Sequence, residues 1–280
     1  EPYPNYNRIM LSNILQKKMT VEDTIMNPYD WYQENNIELI NNDPVEKVDK
    51  ENKIVTTSKS IEVEYDICIF ATGSKAFVLP IPGSNLPSVI GWRTIDDTNK
   101  MIEIAQTKKR AVVIGGGLLG LECARGLLDQ GMEVTVLHLA DWLMEMQLDR
   151  KAGEMLKADL EKQGMKIELQ ANSKEIIGDK DVEAIKLADG RVIETDLVVM
   201  AVGIRPYTEV AKNSGLDVNR GIVVNDYMQT SDSHIYAVGE CAEHDGKVYG
   251  LVAPLYEQGK VLADYLTGKE TKGYNCLLYT

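Results

Sequence analysis

A chain of 280 residues, 44% hydrophobic and 26% charged, has the composition of a globular protein large enough for about two domains. Its formal charge of −13 argues against nucleic acid or an anionic membrane as partner, since either needs a basic footprint. No run approaches the roughly 20 apolar residues of a membrane helix, EPYPNYNRIM lacks the basic and apolar regions of a signal peptide, and Cys68, Cys123, Cys241 and Cys276 form no C-x-x-C or zinc spacing, so a cytoplasmic protein with buried, inert thiols and no metal is expected.

In chain order, residues 37–40 read as a strand, and 54–56 with 61–63 as a hairpin around TTSKS. YDICIFATG then reads as a buried strand, residues 66–70, ending in Ala71-Thr72-Gly73. The Pro/Gly stretch LPIPGSNLP is loop. Thr94-x-x-Asp97 before Met101, Ile102 and Ile104 is a capping box opening a helix, with a domain boundary expected near 95–105.

AVVIGGGLLGLECARGLLDQGMEVTVLH, residues 111–138, follows. An apolar strand run meets Gly115, Gly117 and Gly120 in G-x-G-x-x-G. Leu118, Leu121, Leu127 and Leu128 recur at helical spacing, Gly131 stands at the expected C-terminal cap, and residues 133–137 read as the next strand. That context marks a dinucleotide crossing. Gly115 permits the tight turn, Gly117 lets a diphosphate approach the backbone, and Gly120 lets helix and strand pack closely. The helix N-terminus, at Leu118 and Leu119, offers free N–H groups to the phosphates. The second strand ends in His138 rather than the acid that binds a ribose hydroxyl or an arginine suited to NADPH. His138 either bonds the nucleotide or is a solvent-facing residue without a role; the lack of arginine favours NADH. Glu122 is either a positioning residue or a surface acid of the first helix turn.

Asp149 caps a helix to residue 163, residues 165–169 form a strand, and Ala188-Asp189-Gly190 turns a hairpin between 182–187 and 191–194. Residues 197–202 form a second buried strand ending at Gly203. The span 110–203 is therefore an α/β unit with an antiparallel insert. TSDSHIYAVGECA holds a short strand, 235–238, ending in Gly239-Glu240. Glu240 is either a turn acid or, at the carboxyl edge of a strand, an acceptor for sugar-like hydroxyls. Ala253-Pro254 opens the last helix.

The ATG strand end, the glycine crossing and T-S-x-x-x-I-Y-A-x-G-[DE], in that order, resemble the two-dinucleotide flavoproteins of the pyridine-nucleotide–disulfide reductase superfamily. EPYPNYNRIMLS, GWRTIDDTNKM, VIGGGLLGLE, GIRP, GECA and YGLVAPLYEQGK are similar to the front part of the assimilatory NAD(P)H nitrite reductase large-subunit family. The resemblance implies an α/β, Rossmann-like two-dinucleotide fold. An FAD domain (residues 1–98 and 224–272) would carry an inserted NAD(P)H domain (99–223), with 273–280 a tail or the start of a further segment. It implies that Arg8, Val45, Ala71, Thr72, Gly73, Gly239, Glu240 and Ala253 meet FAD, and that Gly115, Gly117, Leu118, Leu119, Gly120, Glu122, His138 and Gly203 meet NAD(P)H. The family's opening FAD glycine motif precedes the first residue here, so its first βαβ unit is expected to be truncated and the chain a fragment.

Relatives that reduce peroxide or disulfides use a Cys near the flavin; here Asn13 and Ile14 follow LS. Sirohaem and an iron–sulfur cluster need several cysteine ligands and are expected only downstream. The implied role is an electron-entry module passing hydride from NAD(P)H to FAD and electrons to a downstream acceptor domain, with a homodimer left open. A rubredoxin- or ferredoxin-type reductase and a non-catalytic nucleotide-binding fragment are the rival readings.

Overall fold

The computed structural model describes residues 1–276; the last four residues of the expected tail lie outside the described residues. In chain order the elements are α1 (Leu11–Leu15), α2 (Tyr29–Glu34), β1 (Val45–Asp49), β2 (Ile54–Thr57), β3 (Glu62–Glu64), β4 (Cys68–Phe70), β5 (Ser74–Ala76) and β6 (Val89–Gly91). The middle of the chain holds α3 (Ile95–Thr107), β7 (Arg110–Ile114), α4 (Leu118–Asp129), β8 (Glu133–Leu137), α5 (Arg150–Lys162) and β9 (Lys166–Glu168). It continues through β10 (Ser173–Ile177), β11 (Ala184–Leu187), β12 (Val192–Glu194) and β13 (Leu197–Met200). The last part holds β14 (Ile204–Pro206), α6 (Glu209–Asn213), β15 (Ile222–Val224), β16 (Ile235–Ala237), β17 (Ala242–His244), β18 (Lys247–Val248) and α7 (Val252–Leu266).

Two compact units emerge. One, the glycine-turn unit, comprises Pro4–Ile37 and Ala76–Gly203. The other, the hairpin unit, comprises Glu1–Tyr3, Glu38–Lys75 and the described residues from Ile204 on. Divisions fall at 75/76, within β5, and at 203/204, after β13, and residues 4–37 join the glycine turn. The reason is local packing. Leu15 of α1 is fully buried, and its side chain lies where a Cβ on Gly126 of α4 would stand, 2.5 Å from Leu15 Cγ. Gln130, at the end of α4, donates its side-chain amide to the Leu15 carbonyl at 2.7 Å.

The glycine-turn unit is built on a parallel sheet in the order β6-β13-β7-β8-β9. Its central strands are fully apolar because both faces are covered: Ala111 to Ile114 and Leu197 to Met200 are all buried. One face packs on the antiparallel insert β10-β11-β12, where Ile176, Ile185 and Leu187 meet Val112, Ile114 and Val198. The capping box at Thr94 and Asp97 forms as the sequence spacing predicts, with Thr94 Oγ1 accepting from Asp97 N–H and the Asp97 carboxylate accepting from Thr94 N–H. At the opposite end of β7 from the glycine turn, the Arg110 guanidinium holds the Asp196 carboxyl below its ordinary range.

The hairpin unit contains the antiparallel β1-β2-β3 sheet, the β15-β17-β18 sheet and a parallel pair, β16-β4. Asp43 accepts from Thr57 Oγ1, Ser58 Oγ and Lys59 N–H, which ties the TTSKS turn to the chain before β1. Two expectations fail here. Residues 37–40 form no strand; α2 ends at Glu34, and the Ile37 N–H beyond it bonds back to the Tyr32 carbonyl. Residues 66–70 shrink to β4, and Ile67 and Ile69 are each 46% exposed among the described residues. The apolar run predicts a buried strand, whereas only the Phe70 side meets the core of Ile235, Tyr236 and Ala237.

Leu15→Ala is expected to cost about 2–5 kcal/mol, the usual penalty for emptying a fully buried aliphatic site. A lowered urea midpoint checks it; an unchanged midpoint would show that α1 does not stabilise the glycine-turn unit.

Candidate functional site

The glycine turn sits where β7 passes into α4, between the neighbours β8 and β13 of the central strand. Gly115 has φ +121°, and an added Cβ there would lie 2.3 Å from the Ala201 carbonyl oxygen. An added Cβ at Gly120 would lie 2.0 Å from the Gly115 carbonyl oxygen. Both glycines are therefore demanded by the fold itself. Gly117 differs: its φ is −84°, and no atom lies within 4 Å of where a Cβ would stand. Nothing within the described chain requires glycine there, and the space over it is open to an outside group. Gly117 is the N-cap of α4 with no side-chain cap, leaving the first helical N–H groups to an outside acceptor. Leu118 and Leu119 flank it, both exposed, and Gly203 has φ +110° with open space around it.

His138 is buried beside the turn rather than solvent-facing. It is 7% exposed, its Nδ1 accepts from Gly116 N–H at 3.0 Å, and its Nε2 meets Glu145 Oε2 at 2.9 Å. The preceding strand places it beside the turn, and an added Cβ on Gly116 would lie 2.7 Å from both its ring and Leu143. Glu122 is not in the first turn of α4 but on its fifth residue, half-buried. Burial pushes its carboxyl above the ordinary range, opposed by a hydrogen bond with Ser12.

In the hairpin unit, parallel pairing of β4 with β16 sets Phe70 beside Ala237, so both strands deliver their following residues at the same end. Ala71-Thr72-Gly73 and Gly239-Glu240 meet there. Ser74 Oγ donates to Glu240 Oε2 at 2.8 Å, and Thr72 Oγ1 to the Tyr207 carbonyl at 2.7 Å. Gly239 has φ +84° with open space where a Cβ would stand, and its N–H donates to Gln258 Oε1 at 2.8 Å. Val45 and Ala253 are exposed. The carboxylate, the open glycine and the exposed apolar residues suit the hydroxyl chain and rings of a flavin. Arg8 lies in the glycine-turn unit, its guanidinium over the Tyr6 ring and bonded to the Arg93 carbonyl, and its flavin role rests on resemblance alone.

Ser12, Ser74, Glu145 and Gln258 escaped the sequence reading. A serine beside the ATG end and a glutamine four residues after Pro254 on the buried side of α7 carried a signal; Glu145, reached through a loop, carried none. Cys123, Cys241 and Cys276 are buried, and burial pushes the Cys68 thiol up to about 11. Among the described residues no three His, Cys, Asp or Glu side chains converge on a metal position, and no helix is long and apolar enough to cross a membrane.

Residues 2–259 match the family model for pyridine nucleotide-disulphide oxidoreductase. Over 98% of its length the chain is 58% identical to a Nitrite reductase [NAD(P)H] of Bacillus subtilis, and it spans 34% of that protein. It is 33% identical to an NADH-rubredoxin oxidoreductase of Clostridium acetobutylicum, covering 93% of this chain and 65% of the relative. Among solved structures it is similar to a ferredoxin reductase of Rhodopseudomonas palustris, with a TM-score of 0.91, 30% identity and coverage of 98% of this chain and 70% of that one.

Because burial raises the Glu122 carboxyl in the folded state, the fold retains a proton that the unfolded chain has lost. Its contribution to stability is fully present below the unfolded value and declines as pH rises through the folded one. Glu122→Gln is therefore expected to gain stability relative to the parent at pH 7 and not at pH 4. Urea midpoints of both proteins at the two pH values test this; a parallel pH dependence would contradict it.

Proposed function

The chain belongs to the pyridine nucleotide-disulphide oxidoreductase family, and from that membership we propose that it is the electron-entry module of an NAD(P)H-dependent nitrite reductase. Hydride would pass from NAD(P)H, with NADH preferred, to FAD, and electrons onward to a downstream acceptor domain. The observation that carries the nucleotide reading is the empty space over Gly117 at an uncapped helix N-terminus. Nitrite as the destination draws on the 58% identity to a nitrite reductase of which this chain spans about a third. Sirohaem and an iron–sulfur cluster are assigned to parts outside residues 1–280, and the protein to the cytoplasm.

FAD, when bound, accepts a hydride and releases its electrons singly. The chain's own task is orientation. Glu240, aligned by Ser74, would accept hydrogen bonds from the ribitol. Val45 would border the adenine, Ala71, Thr72 and Gly73 would run beside the cofactor, and Ala253 with the start of α7 would face the flavin's pyrimidine edge; Arg8 is kept as a contact on resemblance. The backbone of Gly115–Gly120 would cradle the nicotinamide nucleotide's diphosphate, with Gly203 along its path. Exposed Leu118 and Leu119 would shield it from water. Glu122, steadied by Ser12, would hold the nicotinamide end, and no side chain need move a proton for hydride transfer.

The full-length protein, purified with FAD, is expected to be yellow, to reduce ferricyanide with NADH and to reduce nitrite. A colourless protein or one without an NADH-dependent rate would contradict the flavin reading. Reduction of ferredoxin or rubredoxin, with nitrite untouched, would favour the rival reductase.

A further inference from the structure

The strand that follows the glycine turn ends in histidine, so the acid that ordinarily takes the adenosine ribose of NADH is missing from its place. We propose that Glu145, carried back to that place by a loop and held there by His138, is the ribose-binding acid and sets a preference for NADH over NADPH. This rests on the nicotinamide reading of the glycine turn.

The argument is one of protons and connectivity. Gly116 N–H donates to His138 Nδ1, so that nitrogen is the acceptor and the ring proton sits on Nε2. Nε2–H therefore donates to Glu145 Oε2 at 2.9 Å. The chain after β8 doubles over the turn: Met144 takes φ +57°, and its N–H donates to the Gly116 carbonyl at 3.0 Å. Leu143 is fully buried beneath it. Glu145 is thus two hydrogen bonds from the amide of Gly116, the residue before the diphosphate position, and its side chain remains 34% exposed. Only Oε2 is used by His138; the other oxygen has no partner among the described residues and can accept from a ribose diol. The same carboxylate repels the 2′-phosphate of NADPH. Arg150, five residues further along the chain, is engaged elsewhere: it is ion-paired with Asp141 and lies 4.7 Å over the Trp142 ring. His138 is a positioning residue; Glu145 makes the contact.

The test titrates the full-length protein with NADH and with NADPH, reading binding rather than turnover. The parent is expected to bind NADH the more tightly. Glu145→Gln keeps an oxygen for His138, so the fold holds, and should weaken NADH about tenfold, the loss of one charge-assisted hydrogen bond, without weakening NADPH. Glu145→Arg should invert the preference. An NADH-to-NADPH ratio that stays within about twofold in both variants, or a parent that prefers NADPH, would overturn the proposal while leaving the nucleotide site standing. A parent that binds neither nucleotide would overturn the nicotinamide reading itself.

Discussion

The structure turns on a close approach of backbone to backbone. The Gly115 turn lies so near the Ala201 carbonyl, and α4 so near the Gly115 carbonyl, that side chains at Gly115 and Gly120 are shut out by main-chain atoms 2.3 and 2.0 Å away. This closeness aims the N-terminus of α4 at the carboxyl edge of the sheet, between β8 and β13. It leaves Gly117 as the point where the turn faces outward over empty space. The parallel sheet, the covered strands β7 and β13 and the insert behind them form the rigid base that makes such an approach repeatable.

What could be read in the sequence follows the same division. The turn, α4, β8 and β13 were legible because backbone constraints leave glycines, caps and apolar runs at fixed spacing. The paired strand ends at Thr72-Gly73 and Gly239-Glu240 were each legible, and parallel pairing of β4 with β16 explains why they meet. Side-chain relations across loops were not. Nothing local tells that His138 is buried against Gly116 and Glu145. Apolar runs also misled where only one side of a strand is covered, as at Ile67 and Ile69 of the β4 segment. At 37–40 the alternation of Ile37, Glu38 and Leu39 misled as well, since these residues pair with no strand among the described residues.

In the proposed function the two units divide the work by chemistry. Backbone N–H groups at a helix end suit a diphosphate, whose charge needs donors rather than a matching cation. A carboxylate fixed by Ser74 suits neutral hydroxyls, whose protons need an acceptor. Neither arrangement asks for a titrating group or a reactive thiol, and the buried cysteines accord with that. A family of electron carriers that leaves bond chemistry to its cofactors needs this kind of protein: one that places groups and keeps them still.

The central claim is that the space over Gly117 exists for a diphosphate, and Gly117→Ala tests it most directly. The backbone there suits alanine and no chain atom is near, so the urea stability should stay within about 1 kcal/mol of the parent. NADH affinity, in contrast, should fall by tenfold or more. A Gly117→Ala variant that folds as well as the parent and binds NADH as tightly would contradict the account.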